Sequence, residues 1–378
     1  MVLFGIDRVA EYRQAFQGRV ALITAPSGRT ADNRSSIDRL REVCDLRLLL
    51  APEHGVRGDK EAGETFADEI DKSSGLPMVS LYSPGSKRLP QGALDRFDTL
   101  VYDIQDVGCR YYTFISTLKG ALEDCARAGK RLVVLDRPNP LGGRVEGPVL
   151  EEGCRSFVGC DAIPVRYGLT CGEFARMVVR REGLDCDLQV IPCEGLTREM
   201  DFPRWGRLWV MPSPSMPRYE TALLYPGTCL FEGTAWSEGR GTADPFSIVG
   251  APGVDAEAFT AAFNRMNLPG VAATPAYFVP SSSKHQGKLC GGIHLHITDR
   301  AALRPVELGY RLLALAADTD PAGFSVLPPM EGEEIATLSL LAGHRGLEQT
   351  GCKDARLPEG TEEACCAFAS ETQRDRLY

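Results

Sequence analysis

Three short segments carry residues able to move protons or hold charge. Pro52-Glu53-His54-Gly55, Asp103-Ile104-Gln105-Asp106-Val107-Gly108 and Asp136-Arg137-Pro138-Asn139-Pro140 each follow or close an apolar run. Carboxyls dominate them, and paired carboxyls suit the cleavage of an acetal. One protonated acid assists the leaving oxygen, and a second group acts as base, nucleophile or stabiliser of an oxocarbenium-like transition state. A carboxyl beside apolar walls and other carboxylates has its pKa raised, as the acid role requires. Glu53 fits: Leu48–Leu50 precede it, and Asp103 and Asp106 are expected to approach across a cleft. Taken singly, each residue has a plainer role. Glu53 would cap or solvate a turn, His54 would be a hydrogen-bonded structural histidine, Asp106 would cap a helix, and Asp136-Arg137 would tie a loop as an ion pair. Three such segments in succession are harder to dismiss than one.

Later segments add to the set. Ser213-Pro214-Ser215-Met216-Pro217 reads as a rigid turn. Glu232-Gly233 and Ser237-Glu238-Gly239-Arg240-Gly241-Thr242 form an acidic, glycine-rich stretch whose backbone can approach a ligand closely. Trp205, Trp209 and Trp236, all the tryptophans of the chain, fall in this region. Their rings suit the face of a sugar, although a core position is the commoner use. Other chemistries fit worse. Ala25-Pro26-Ser27-Gly28 follows the first strand where a dinucleotide site would need GxGxxG, and neither a P-loop nor a GxSxG elbow occurs. Of the five histidines only His294 and His296 are spaced for one strand face, with no carboxylate pattern to complete a zinc site. No metal and no cofactor are expected.

The elements that must position these residues can be read from periodicity. Arg19–Thr24, Leu46–Leu50, Pro77–Tyr82, Thr99–Ile104 and Leu132–Leu135 read as strands. Asn33–Cys44 and Thr113–Ala128 read as helices between them, the second carrying Ile115, Leu118, Leu122 and Cys125 on one face and ending at Gly129. Continuous apolar strands alternating with helices predict a Rossmann-like, doubly wound α/β domain with a mostly parallel sheet, covered on both faces. Its strands would end on one edge, where such sheets bind ligands. On that topology Glu53, Asp103, Gln105, Asp106, Asp136 and Arg137 should converge on one cleft. Residues 150–250 are loop-rich, with a helix over Cys171–Arg181 and a strand over Leu188–Ile191. Helices over Asp255–Met266 and Pro305–Ala316, with strands near Ala276–Val279 and Gly292–Ile297, predict a smaller α+β domain. The expected division is 1–215 and 216–378.

Composition narrows the partners. The 378 residues carry 51 acids against 42 bases, a net charge of −9, with no Lys/Arg run to bind nucleic acid or anionic lipid. No apolar stretch approaches 18 residues, and Met1–Asp7 lacks the pattern of a secretory signal. The 13 cysteines form no CxxC pair and no regular framework, which points to a reducing, cytoplasmic setting.

With these residues in view, the order PEHG (52–55), DIQDVGCRYYTF (103–114), VLDRPNP (134–140), EGP (146–148), YGLTCGE (167–173), PSPSMP (212–217), YPGTCLFEGT (225–234), SEGRGT (237–242) and GIHLHITDR (292–300) resembles the NamZ-type exo-β-N-acetylmuramidases, glycoside hydrolase family 171. The resemblance covers essentially the whole chain. It implies an active cleft between a Rossmann-like and a smaller domain. It also implies release of N-acetylmuramic acid from the non-reducing end of peptidoglycan fragments, by cutting its β-1,4 bond to N-acetylglucosamine, with Glu53 as the catalytic carboxyl. The chain departs from the family's common SPNMP at Ser215, and from its RFYTY at Tyr111 and Phe114.

The expectation is therefore a catalytic set of Glu53, Asp103 and Asp106. Substrate contacts are expected from His54, Gln105, Arg110, Asp136 and Arg137, and from Asn139, Ser213, Glu238 and Arg240, with Arg137 or Arg240 facing the lactyl carboxylate. The partner expected is a peptidoglycan-derived saccharide. A non-catalytic muropeptide sensor and a hydrolase of another amide or ester are the alternatives on the same cleft.

Overall fold

The computed structural model of the chain describes residues 1–58, 68–81 and 86–378. The first elements are β1 (Arg19–Thr24), α1 (Ser36–Arg41), β2 (Asp45–Ala51), β3 (Glu69–Ile70), β4 (Pro77–Ser80), α2 (Gln91–Leu94), β5 (Thr99–Asp103), α3 (Phe114–Ala128) and β6 (Arg131–Leu135). Next come the antiparallel pair β7 (Glu146–Val149) and β8 (Pro164–Arg166), then α4 (Cys171–Glu182) and β9 (Asp187–Ile191). Seven strands form one sheet in the order β3-β4-β2-β1-β5-β6-β9, in which only the β3–β4 pair is antiparallel. Leaving β3 aside, this is the strand order of a doubly wound dinucleotide-binding fold, reversing between β1 and β5.

Alternate side chains of these strands enter two different cores. Ala21, Ile23, Leu48, Leu50, Leu100, Tyr102, Leu132 and Val134 join one apolar cluster; Val20, Leu22, Leu49, Val101, Val133 and Leu135 join the other. Two covered faces explain why the strands read as unbroken apolar runs. The strand over Leu188–Ile191, read in a loop-rich region, is β9 and pairs in parallel with β6. The helix expected over Asn33–Cys44 is shorter, because Asn33 takes a positive φ of 63° and the Ser35 side chain caps α1 by accepting from the Ile37 amide. α3 ends as expected at Gly129, which closes it in the left-handed conformation at φ 60°. Tyr82, the last residue of the third expected strand, lies outside the described residues.

The rest of the chain builds α5 (Tyr219–Thr228), β10 (Ile248–Ala251), α6 (Ala256–Arg265), β11 (Val271–Phe278), β12 (Cys290–Ile297), α7 (Pro305–Thr319), α8 (Thr337–Ala342), α9 (Gly346–Thr350) and α10 (Thr361–Glu371). A three-stranded antiparallel sheet, β10-β12-β11, packs against α6. α7 crosses α5 where Gly309 meets Gly227: a Cβ on Gly309 would lie 2.5 Å from the Gly227 Cα, so the crossing demands glycine. Residue 215 falls in the turn before α5. The end of the chain returns to the first sheet, where Arg180 and Arg181 pair with Glu371, Arg180 also pairs with Asp375, and the Tyr378 hydroxyl donates to Asp136. Among the described residues no helix is long and apolar enough to cross a membrane.

One buried ion pair ties β5 to the chain after β6. Asp103 is fully buried; Arg137 donates Nε to its Oδ1 at 2.6 Å and Nη2 to its Oδ2 at 3.0 Å, and the Ser36 hydroxyl also donates to it. Removing one partner strands a charge in the interior. Arg137→Met is expected to cost about 3–5 kcal/mol in urea denaturation, and most of that loss should return in the Arg137→Met, Asp103→Leu double variant.

Candidate active site

A cavity of about 180 Å³ opens beside the end of β2, with the Glu53 and His54 side chains in its wall. The turn that presents them is tight: the Gly55 amide donates to the Pro52 carbonyl at 3.0 Å, and His54 takes a positive φ of 70°. Such conformations are uncommon for a residue with a Cβ and recur at functional sites. From the β5–α3 connection come Tyr111, Tyr112 and Thr113, and the Thr113 hydroxyl donates to Glu53 Oε2. Ser213, Ser215 and Met216 enter from the turn before α5. Tyr225 comes from α5, Glu232 from the segment after it, and Arg240 and Phe246 from the loop before β10.

The far wall is a charge cluster. Arg240 donates Nε and Nη2 to Glu232 Oε1 at 2.9 and 2.6 Å and Nη1 to Ser215 Oγ at 2.9 Å, and its guanidinium lies 5.0 Å from the Phe246 ring centroid. Behind it Glu238 is buried, 2.8 Å from Lys284 Nζ and 3.7 Å from Arg240 Nε. Burial pushes the Glu232 carboxyl above its ordinary range against the pull of Arg240, and neighbouring Glu238 adds to the rise. Burial likewise holds the Tyr112 phenol protonated; Ser213, Asp106 and Glu53 all stand close enough to act on it.

The expected site residues divide. Glu53, His54, Ser213 and Arg240 line this cavity. Glu238 supports it from beneath. Asp106 is buried, accepting from the Tyr167 hydroxyl and from the Gly108 amide at 2.6 Å. The single cleft expected for six residues is thus corrected to two. Gln105 and Arg137 line a separate crevice walled by Phe4 and Trp205, members of the second apolar cluster, whereas Tyr111, Tyr112, Met216, Tyr225 and Phe246 belong to the first. Gln105 continues the alternation of β5 on the face of the second cluster, whereas Glu53 sits in the tight turn that follows β2, so one edge serves two openings.

Four expected residues have structural partners away from both walls or beneath them. Asp103 holds Arg137. Asp136 accepts from the Gly172 amide at 2.7 Å and the Thr170 hydroxyl at 2.9 Å, capping α4. Asn139 donates to the Leu169 carbonyl and accepts from the Leu141 amide. Arg110 is fully buried and donates to the carbonyls of Pro148, Ile163 and Leu341. Glu232, Tyr112 and Thr113 were not picked as site residues. Glu232 carried a signal, an acid in a glycine-rich stretch; Tyr112 and Thr113 sat in an aromatic run that reads as core. The histidine pair of β12 is engaged elsewhere, His294 with Asp244 at 2.7 Å and His296 with Thr274 at 2.8 Å.

Comparison with known proteins bears on this geometry. Residues 20–220 match the family described as exo-β-N-acetylmuramidase NamZ, N-terminal, and residues 223–378 match its C-terminal counterpart. The chain belongs to the NamZ exo-β-N-acetylmuramidase family. It is 42% identical over 337 residues to the peptidoglycan β-N-acetylmuramidase NamZ of Bacillus subtilis strain 168, covering 88% of this chain and 81% of that one. Two crystal structures of DUF1343 family proteins from Bacteroides fragilis are similar. One has a TM-score of 0.88 at 32% identity and the other 0.73 at 28%, each covering 100% of this chain and 99% of the other. The two matched NamZ parts meet inside α5, so the cavity draws Glu53, Thr113 and Ser213 from one and Glu232, Arg240 and Phe246 from the other.

Asp106 gives the site a measurable titration. Burial pushes its carboxyl up to about 7, against the lowering effect of Tyr167 and Gly108. An unfolded Asp titrates near 3.9, so between those values the folded chain binds the extra proton, and stability falls as pH rises. Asp106→Asn removes the titration. From pH 4 to 8 wild type should therefore lose stability relative to the variant, by at most about 1.4 kcal/mol per pH unit, measured by urea denaturation across that range. A constant difference would refute the assignment.

Proposed function

We propose that the chain hydrolyses the β-glycosidic bond of a terminal N-acetylmuramoyl residue in peptidoglycan-derived saccharides, with Glu53 as general acid. The reading rests on family membership for the reaction. For the residues it rests on one observation: among the described residues Glu53 and Glu232 are the two carboxyls in the wall of one cavity, with Arg240 fixed beside the second. Glu53 donates its proton to the bridging oxygen as the C1–O bond breaks, and that oxygen leaves as the hydroxyl of the released sugar. Positive charge grows at C1 and the ring oxygen, and a water oxygen then bonds to C1. Glu232 faces that event either as a base that takes the water's proton, or as a fixed negative charge while the now ionised Glu53 takes that proton. Thr113 holds the Glu53 carboxyl in orientation while Tyr112, kept neutral by burial, adds a donor to the wall.

Arg240 supplies the discrimination. Three of its five N–H groups are engaged by Glu232 and Ser215, which leaves two for an incoming carboxylate. The lactyl carboxylate of muramic acid is such a group, and plain N-acetylglucosamine lacks it. Charge-assisted contact with a pre-positioned guanidinium favours the first sugar. Ser215, where relatives commonly carry Asn, touches this arginine directly.

Turnover of a chromogenic β-N-acetylmuramide, with the matching N-acetylglucosaminide as control, tests the proposal. Glu53→Gln should lower kcat by about 10²–10⁴-fold with KM little changed. Binding without turnover in the wild type would instead favour a sensor, and inertness to both substrates would favour another hydrolase.

A separate outcome is expected for Arg240→Gln. It should lower kcat/KM for the muramide by about 10–100-fold, chiefly through KM, and leave the rate on the glucosaminide at its wild-type value. An equal fall for both substrates would remove Arg240 from the specificity role.

A further inference from the structure

Where the strand order reverses between β1 and β5, the separate crevice opens on the face of the sheet opposite the Glu53 cavity. Open α/β sheets bind ligands at this reversal, yet the proposed reaction uses none of its residues. Ser27, Gln105 and Arg137 line it, each more than nine-tenths buried, with Arg29 at its side.

The polar groups here are held but not exhausted. Arg137 gives Nε and Nη2 to Asp103, and Nη2 also reaches the Arg29 carbonyl at 3.2 Å; Nη1 has no partner among the described residues. Gln105 donates its amide to the carbonyls of Asp106 at 2.8 Å and Pro138 at 2.9 Å, which leaves Oε1 as an acceptor facing away from them. Among the described residues the Arg29 guanidinium donates to the carbonyls of Pro26 and Asn33. Asp7 and Asp103 answer Arg207 and Arg137, at 2.7 and 2.6 Å; no carboxylate answers Arg29 among the described residues. Among the described residues the crevice therefore carries one unbalanced positive charge.

Its size and walls select the ligand. The space open to water-sized groups is about 30 Å³, room for about two of them; the two oxygens of a carboxylate fill it, and the rest of a ligand lies at its mouth. Outside it lie Trp209, Val210 and Leu208, the last 70% exposed, an apolar shelf beside a cationic slot. We propose that this crevice is a second ligand site, taking the carboxylate of a small amphipathic hydroxy acid. The carboxylate sits on Arg137 Nη1 and Arg29, the hydroxyl donates to Gln105 Oε1, and the apolar body lies along Leu208-Trp209-Val210. The proposal stands independently of whether Glu53 cuts a glycoside.

Mandelate is a suitable probe, with mandelamide as its uncharged control. Trp205 and Trp209 both wall the crevice, so titration of the full chain should give a saturable change in tryptophan fluorescence with mandelate and none with mandelamide. Calorimetry on the same samples covers a complex that fluorescence does not register. Arg29→Gln, which leaves the Asp103–Arg137 pair intact, should weaken mandelate binding about tenfold, and Arg240→Gln should leave it unchanged. No saturable binding by either method, equal binding of the amide, or a loss that follows Arg240 and spares Arg29 would overturn the site.

Discussion

A parallel sheet covered on both faces leaves polar side chains one place to meet a ligand, the edge where its strands end. Everything functional in this chain is built on that constraint. β1, β2, β5 and β6 are buried almost end to end. After the buried stretches of β2, β5 and β6, charge appears at Glu53, Asp103 and Asp136, as each strand runs out. Asp103 and Gln105 keep the parity of Val101 and lead to the crevice at the reversal between β1 and β5. Glu53 shares the parity of Leu49 and Ala51, and the tight turn over Pro52–Gly55 carries it to the other opening.

Burial then decides what the edge residues can do. A carboxyl leaving a covered sheet is either paired, protonated or placed at an opening. Asp103 is paired with Arg137. Asp106 is shifted toward its protonated form, with Tyr167 and Gly108 as its hydrogen-bond partners. Asp136 is turned to the start of α4, where the Gly172 amide and the Thr170 hydroxyl donate to its oxygens. Glu53 alone of the four reaches a cavity wall. Its opposite wall comes from the second half of the chain, where Arg240 stands between two glutamates and a serine.

The sequence made the strands legible because an unbroken apolar run of five or six residues has few other readings. Strand-end position picked out Glu53 and His54, a rigid turn Ser213 and a glycine-rich stretch Arg240, and it is the fold that brings these four to one cavity. Long-range partners were not legible. That Asp103 faces Arg137 depends on β5 and β6 lying side by side, and that Asp136 serves α4 depends on a helix beginning 35 residues later. Gln105 and Glu53 follow strands of the same sheet with the same parity, Gln105 four residues beyond Val101 and Glu53 four beyond Leu49, and the turn over Pro52–Gly55 sends Glu53 to the other opening. Glu232 was visible as an acid in a flexible stretch. Its pairing with Arg240 eight residues on required the fold of the Ser237–Ser247 loop, which Gly239 permits with a φ of 82°.

The turn before α5 shows why the two openings are nevertheless one construction. Phe202, Trp205 and Trp209 stack edge to face, with Phe202 and Trp209 centroids 5.0 Å apart, and Tyr219 at the start of α5 closes the group. The Trp209 indole donates to the Met216 carbonyl at 3.1 Å. Aromatic packing on the crevice side therefore fixes the backbone that carries Ser213, Ser215 and Met216 into the Glu53 cavity. Ser215 in turn accepts from Arg240. The guanidinium assigned to recognise a carboxylate owes its position to rings on the far side of the sheet edge, as much as to the glutamate beside it.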